Sequence, residues 1–258
     1  MSLVGRTAVV TGGSQGLGAV VARLLAEAGV AVVVAARTEA RLNAVAGDLR
    51  AAGHKAWGVR CDVTDPASVR ALAESAIGHL GRVDILVNNA GAAMSAPAQK
   101  TRLEDWNRML AVNATSTFLC TQALLGGMLE RGWGRVVNVA SVAGISGNRY
   151  ISAYSAAKHA VVGFTRSVAA ETAGHGVTVN AVCPGYVDTQ LTQETIERVA
   201  ARTGKTHAEA LQAVLRASQQ PRLIAPEEVA RVIVALCTED GAALTGLAIR
   251  LDGGSFRP

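Results

Sequence analysis

Tyr154 and Lys158 stand four residues apart, a phenol and an ammonium at one helical turn's spacing. Positions i and i+4 share a helix face, so the two polar groups can converge on one point. A nearby cation favours a phenolate and brings tyrosine, ordinarily near pKa 10, towards use as an acid or base near neutrality. With 3 tyrosines and 4 lysines in 258 residues, chance gives about 0.05 such pairs. The spacing therefore points to proton transfer rather than to two residues decorating a solvated helix.

A second stretch supplies a partner for that chemistry. Thr11-Gly12-Gly13-Ser14-Gln15-Gly16-Leu17-Gly18 follows the apolar run Thr7-Ala8-Val9-Val10. Val20, Val21, Leu24, Leu25 and Ala28 then recur at helical spacing until Gly29. Strand, glycine turn and helix together form a dinucleotide-phosphate site: the glycines admit close approach of backbone, and a helix N-terminus offers free N–H groups. A bare tight turn would not need the strand before it or the helix after it.

The elements that must position these residues alternate along the chain. Strands are predicted at Ala31–Ala36, Ala56–Cys61, Val83–Val87, Arg135–Ala140, Val177–Val182 and Leu247–Leu251. Between them helices are predicted from Thr38 to Ala51, from near Pro66, from Leu103 to Leu129, around Tyr154 and from Pro226. After Pro184-Gly185 a polar helical excursion over about 190–222 breaks the alternation. Repeated β-α units imply an α/β fold, a doubly wound parallel sheet with helices on both faces, within one domain spanning 1–258.

Composition narrows the alternatives. A chain that is 50% hydrophobic and 17% charged leaves no room for long disordered tails, and no apolar run reaches the roughly 18 residues a membrane span needs. The path from Met1 to the first strand leaves no signal or transit segment. Cys61, Cys120, Cys183 and Cys237 lack metal-ligand spacing and read as small buried hydrophobes in a reducing cytoplasm, so no metal is expected. The net charge of +5 could suit nucleic acid, but the arginines are dispersed rather than gathered in a stripe, and neither nucleic acid nor membrane is expected as a partner.

The whole pattern resembles the short-chain dehydrogenase/reductase family. The matching motifs are the Thr11–Gly18 turn, Asp62, Asn88-Asn89-Ala90-Gly91, Asn113, Ser141, Tyr154 with Lys158, and Pro184-Gly185 with Thr189. Tyr154 follows Ser141 by 13 positions, the family's usual interval. The resemblance implies a Rossmann-type fold, a nicotinamide cofactor and hydride transfer at a ketone or secondary alcohol. It makes Tyr154 the proton donor. Lys158 would lower the tyrosine pKa and hold the ribose, Ser141 would orient the carbonyl oxygen, and Asn113 would hold a relay water. By the same resemblance Gly12, Ser14, Gln15, Gly16, Leu17 and Gly18 bind the cofactor, as do Asp62 with Val63, Asn89 with Ala90 and Gly91, and Pro184, Gly185, Val187 and Thr189. A homotetramer is also implied, through the long helices from Leu103 and Tyr150 and through the C-terminal segment. A catalytically silent nucleotide-binding scaffold would be expected to lack one of Ser141, Tyr154 or Lys158, and all three are present.

Cofactor choice turns on the end of the second predicted strand. Ala36 is followed by Arg37 and Thr38, with no carboxylate before Glu39 to hold ribose hydroxyls and repel a phosphate. A guanidinium suits a 2′-phosphate, so NADP(H) is favoured and NAD(H) stays possible. The family's frequent second basic residue in the glycine turn is replaced by Ser14 and Gln15. The excursion over about 190–222 should form a substrate lid, with Leu191, Ile196, Leu211, Val214 and Leu215 as its apolar positions. Its length and its Gln220-Pro221 exit resemble 3-hydroxybutyrate dehydrogenases, an NAD-dependent alternative. Yet Ala92, Ala93 and Ala143 occupy places where that subgroup binds a carboxylate, and Tyr186 stands where it tends to have tryptophan. The Ala157–Phe164 and Val177–Gly185 stretches equally resemble 3-oxoacyl and polyketide ketoreductases. An acyl thioester or another apolar small-molecule ketone fits better.

Overall fold

Val9 and Val10 sit side by side on the first strand, β1 (Thr7–Thr11), and both are fully buried. Successive strand residues face opposite sides, so such a strand must be covered on both. Val10 packs with Val21, Leu25, Val34, Leu42 and Ile233. Val9 packs instead with Val33, Leu72, Leu86, Leu124 and Val136. In this computed structural model, which describes residues 3–254, that double covering extends across a seven-stranded sheet. Met1 lies outside the described residues.

The other strands are β2 (Ala31–Ala36), β3 (Ala56–Arg60), β4 (Ile85–Asn88), β5 (Gly134–Val139), β6 (Val177–Pro184) and β7 (Ala248–Leu251). Their order is β3-β2-β1-β4-β5-β6-β7, and every adjacent pair is parallel. This is the doubly wound Rossmann arrangement the β-α alternation predicts, with strand ends shifted by a residue or two. Helices α1 (Gly16–Glu27) and α2 (Glu39–Ala51) cover the Val10 face. Helix α3 (Pro66–Leu80) covers the Val9 face; Asp65 caps it by accepting from the Ala67 N–H at 3.0 Å, with Pro66 at the first helical position.

The predicted helix from Leu103 to Leu129 is two helices joined by one wider turn. Helix α4 (Leu103–Leu110) passes through a π-turn, Ala111–Thr115, into α5 (Ser116–Glu130). The rod of 28 residues contains an 18-residue stretch with a mean hydropathy of 1.2 and is long and apolar enough to cross a membrane by length and composition, contrary to the expectation from the sequence. Its packing is that of a core helix. Cys120, Leu124 and Met128 lie against the sheet, while Thr121 accepts from Asn88 Nδ2 at 3.0 Å and Thr117 donates to the Asn113 carbonyl at 2.9 Å.

Helix α6 (Ser152–Glu171) follows β5, and after β6 the chain leaves the sheet as α7 (Gln190–Thr203) and α8 (His207–Ser218). Gly204 turns the chain between them at φ 68°, and Thr206 with Glu209 forms a capping box for α8. Ile196, Ala210 and Val214 form a small core of their own with Leu211 and Tyr186. Of the apolar positions expected to line a lid, Leu191 alone remains on an exposed face. Helix α9 (Pro226–Cys237) returns to the Val10 face and leads to β7.

Candidate active site

A cleft of about 370 Å³ opens at the C-terminal ends of the strands, where β1 and β4 lead away in opposite directions. In doubly wound sheets such a switch point leaves a crevice that connecting chain does not cross. Thr11 ties its two sides together. Its hydroxyl oxygen accepts from the N–H groups of Asn89 and Ala90, both at 3.1 Å. The Asn89 amide donates back to the carbonyls of Thr11 and Gly12, at 3.0 and 3.2 Å. Asn89 lines the cleft, but its side chain serves the glycine turn.

At one end the cleft is bounded by Gly12, Ser14, Gln15, Gly16 and Leu17. Helix α1 has Gln15 as its N-cap residue, with no side-chain cap bond and no acidic residue in its first turn, which leaves that N-terminus suited to a pyrophosphate. A side chain on Gly12 would come within 2.9 Å of Ala90 Cα and of Asn89 Nδ2. Gly18, also expected to contact the cofactor, meets a packing requirement in this structure. It does not line the cleft, and a Cβ there would strike the Gly12 carbonyl and the Asn89 amide, so its bareness lets α1 sit against its own turn. Thr189, the residue before α7, lies close to Gly16 and brings the excursion up to this turn.

The rim beyond holds Arg37, Thr38, Asp62 and Val63. One carboxylate oxygen of Asp62 accepts from Thr64, from its N–H at 2.9 Å and its hydroxyl at 2.7 Å. Those bonds hold the carboxyl below its usual range, with Arg37 and Arg60 adding to the effect. A basic residue that the sequence reading missed also lines the rim: Arg41, whose guanidinium is bonded to the Gln15 side chain. The available signal was a second arginine in the first turn of α2, four residues after Arg37.

The opposite end gathers Asn113, Ser141, Tyr154 and Lys158 with Gly91, Pro184, Gly185 and Val187. Ser141 ends the β5 connection and caps the short turn Val142–Gly144 by accepting from the Ala143 N–H at 3.1 Å. Ser155 on α6 donates to the Ala143 carbonyl at 2.6 Å, fixing that turn to the helix of Tyr154 and Lys158. Asn113 lies inside the π-turn and is only 1% exposed, not on a helix surface. Its amide donates to the carbonyls of Ala92 and Met109, both at 3.0 Å. A Cβ on Gly91 would come within 2.7 Å of Asn113 Oδ1 and 3.6 Å of Lys158 Nζ, so these groups share one small space.

Lys158 is 5% exposed and donates to the Val139 carbonyl at 2.8 Å. Burial brings its ammonium down to about 8. Its Nζ stands 5.8 Å from the centre of the Tyr154 ring. Tyr154 does not have the lowered pKa expected from this neighbour. Burial pushes the phenol up, and the hydrogen bond with Ser141 opposes that only in part. The protein by itself thus holds a protonated phenol beside a lysine poised to lose its charge a little above neutrality.

Of the residues expected at the site, all but Gly18 border this one cleft. The family model described as short chain dehydrogenase matches residues 6–200. The chain is 36% identical over 256 residues to the 3-oxoacyl-acyl-carrier-protein reductase of Vibrio cholerae, an overlap of 99% of each chain. It is 37% identical over 257 residues to the D-beta-hydroxybutyrate dehydrogenase of Rhizobium meliloti, covering 96% of this chain and 98% of the relative. Among solved structures, that of an actinorhodin polyketide ketoreductase variant with NADPH matches with a TM-score of 0.93 and 38% identity over 97% of both chains. A glycine turn open to a dinucleotide, a serine, tyrosine and lysine around one cleft end, and likeness along nearly the full chain lead to one conclusion: the protein belongs to the short-chain dehydrogenase/reductase family, nicotinamide-dependent oxidoreductases acting on CH–OH and C=O groups.

Proposed function

We propose that the protein is an NADP(H)-dependent carbonyl reductase whose substrate is a 3-oxoacyl thioester or another apolar ketone. The observation that carries this reading is the uncharged wall at the reacting end: Ala92 and Val112 pack in one cluster with Tyr154, and Leu191 lines the same cleft. Bound nicotinamide supplies the hydride. Ser141 holds the carbonyl oxygen, and Tyr154 gives its phenolic proton to the alkoxide as it develops. Lys158, charged at pH 7, holds the ribose hydroxyls and stabilises the phenolate left behind. Asn113 holds the water through which Lys158 recovers a proton. Helices α7 and α8 act as the lid, presenting Gln190, Leu191 and Thr192 to the substrate.

NADPH consumption by the purified protein, measured with 3-oxoacyl thioesters, β-keto esters and cyclic ketones, tests this reading. Turnover of at least one class is expected. A second reading, an NAD-dependent 3-hydroxybutyrate-type dehydrogenase, draws support from the lid's Gln220-Pro221 exit and from the Rhizobium relative. Oxidation of 3-hydroxybutyrate with NAD, and no ketone reduction with NADPH, would establish it in place of the first.

We further propose a cytoplasmic homotetramer. Free buried cysteines suit a reducing compartment. Leu103, Trp106 and Phe118 are exposed along the outer side of α4 and α5, and Phe118 meets Phe164 of α6 edge to face. Apolar area of this kind is a candidate for contact between copies, with Leu251-Asp252-Gly253-Gly254 at the end of β7 contributing a second contact; residues 255–258 lie outside the described residues. Sedimentation at micromolar concentration should give four chains per particle; a monomer would refute it.

A further inference from the structure

Gln220 is 4% exposed and follows Gln219, which leaves α8 in the left-handed region at φ 56°. Its side-chain oxygen accepts from the Tyr186 N–H at 2.8 Å, and its amide nitrogen donates to the Tyr186 carbonyl at 2.8 Å. The same nitrogen donates to the Arg222 carbonyl. The side chain thus acts as a peptide group, pairing with both backbone groups of one residue 34 positions earlier. Next to it the main chain pairs directly: Ile224 donates to the Tyr186 carbonyl and Asp188 to the Ile224 carbonyl, both at 2.9 Å, with Val187 bridged to Ile224.

Two functional parts meet at this point. On one side, Pro184, Gly185 and Val187 form the floor of the reacting end of the cleft. Gly185 is pressed so closely by the Gln220 oxygen that a Cβ would collide with it. On the other, the Tyr186 ring belongs to the small core of α7 and α8. The lid's exit is fixed again two residues on, where Arg222 grips Glu228 of α9 through two bonds of 2.7 and 2.8 Å.

We propose that Gln220 is a positioning residue that joins lid to cleft floor, so that closure over the substrate and placement of the nicotinamide are set by one amide. This rests on the ketone-reductase reading above. Losing the clamp would let Gly185 and Val187 drift while leaving the adenosine end of the cleft untouched. A misplacement of about 1 Å at a reacting centre can lower turnover by about 100-fold.

The isosteric variant Gln220→Glu separates positioning from mere stability. Its neutral carboxyl can accept from the Tyr186 N–H and donate to one carbonyl. Once ionised, it faces the carbonyls of Tyr186 and Arg222 with no proton to give. Turnover of ethyl acetoacetate with NADPH by this variant should approach wild type at the acid end of the range. It should then fall about 10-fold or more as pH rises through the carboxyl's titration. The charged and titratable groups around the amide are Tyr186, Arg222 with Glu228, and Asp252 with Arg250. All are present in the wild type, so a titration seen only in the variant belongs to the new carboxyl. Gln220→Ala should lower turnover at every pH, with NADPH affinity by fluorescence within about threefold of wild type.

A Gln220→Glu profile identical to wild type would overturn the proposal. So would activity lost only in step with the unfolded fraction followed by circular dichroism. Wild type that binds NADPH but reduces no ketone would instead defeat the function reading. The Gln220 proposal is then decided by nicotinamide fluorescence alone: a pH-dependent change confined to Gln220→Glu upholds it, and an unchanged signal overturns it.

Discussion

Tyr154→Phe should lower turnover by about 10²- to 10⁴-fold, the usual worth of a general acid, while NADPH affinity changes by no more than a few-fold. Only a hydroxyl is removed. The ring keeps its packing in the cluster of Met109, Ala153 and Ala157, so the fold should hold. The phenol is protonated in the protein alone because burial raises it, so the variant forfeits a proton donor without stranding a charge. Lys158→Ala provides the contrast. It should damage turnover and cofactor affinity together, because that ammonium serves both ribose and phenolate. Steady-state kinetics with fluorescence titration of NADPH measure both quantities. Near-normal turnover by the Phe variant would remove Tyr154 from the mechanism.

Arg37→Ala should raise the NADP(H) dissociation constant by about 10- to 150-fold and leave NAD(H) almost unchanged. A charge-assisted hydrogen bond to phosphate contributes about 1.5–3 kcal/mol, and each 1.4 kcal/mol is about a factor of ten. Arg41→Ala should act in the same direction but more weakly, since part of that guanidinium is engaged by Gln15. Ala36→Asp added to Arg37→Ala should turn preference towards NAD(H), by supplying a ribose acceptor and a phosphate repellent together. The readout is the ratio of kcat/KM with the two cofactors. A wild type that already prefers NAD(H), or a ratio unmoved by Arg37→Ala, would make Arg37 a surface residue.

Features of the site that depend on side-chain type and short spacing could be read from the chain. The strand, turn and helix around Gly12, the serine at 141 and the pair at 154 and 158 each carry their own signature. Those that depend on backbone groups could not. The carbonyl that anchors Lys158 belongs to Val139, and any residue supplies a carbonyl. The π-turn that draws Asn113 inward inserts one residue's worth of slack without a composition to mark it. Gln220 bonds to main chain 34 residues away, so neither partner nor distance leaves a pattern. Tyr154 shows a further limit: spacing reveals that a cation is near, but the balance between that cation and burial is settled only by how deeply both are packed.

The four cysteines give the molecule an unusual chemical quietness. All are buried and free. Burial pushes the thiols of Cys120 and Cys237 up to about 12 and that of Cys183 to about 11, and raises Cys61 as well. At pH 7 the reactive thiolate of those three is then a fraction on the order of 10⁻⁴ to 10⁻⁵. The thiolate is the nucleophile that attacks peroxide and alkylating reagents, so in the folded chain Cys120, Cys183 and Cys237 should stay intact, and the burial of Cys61 protects it in the same direction. A single cysteine engineered onto the exposed face of α7 would then be the one site that takes up a dye, and the lid could be tracked in an otherwise native background.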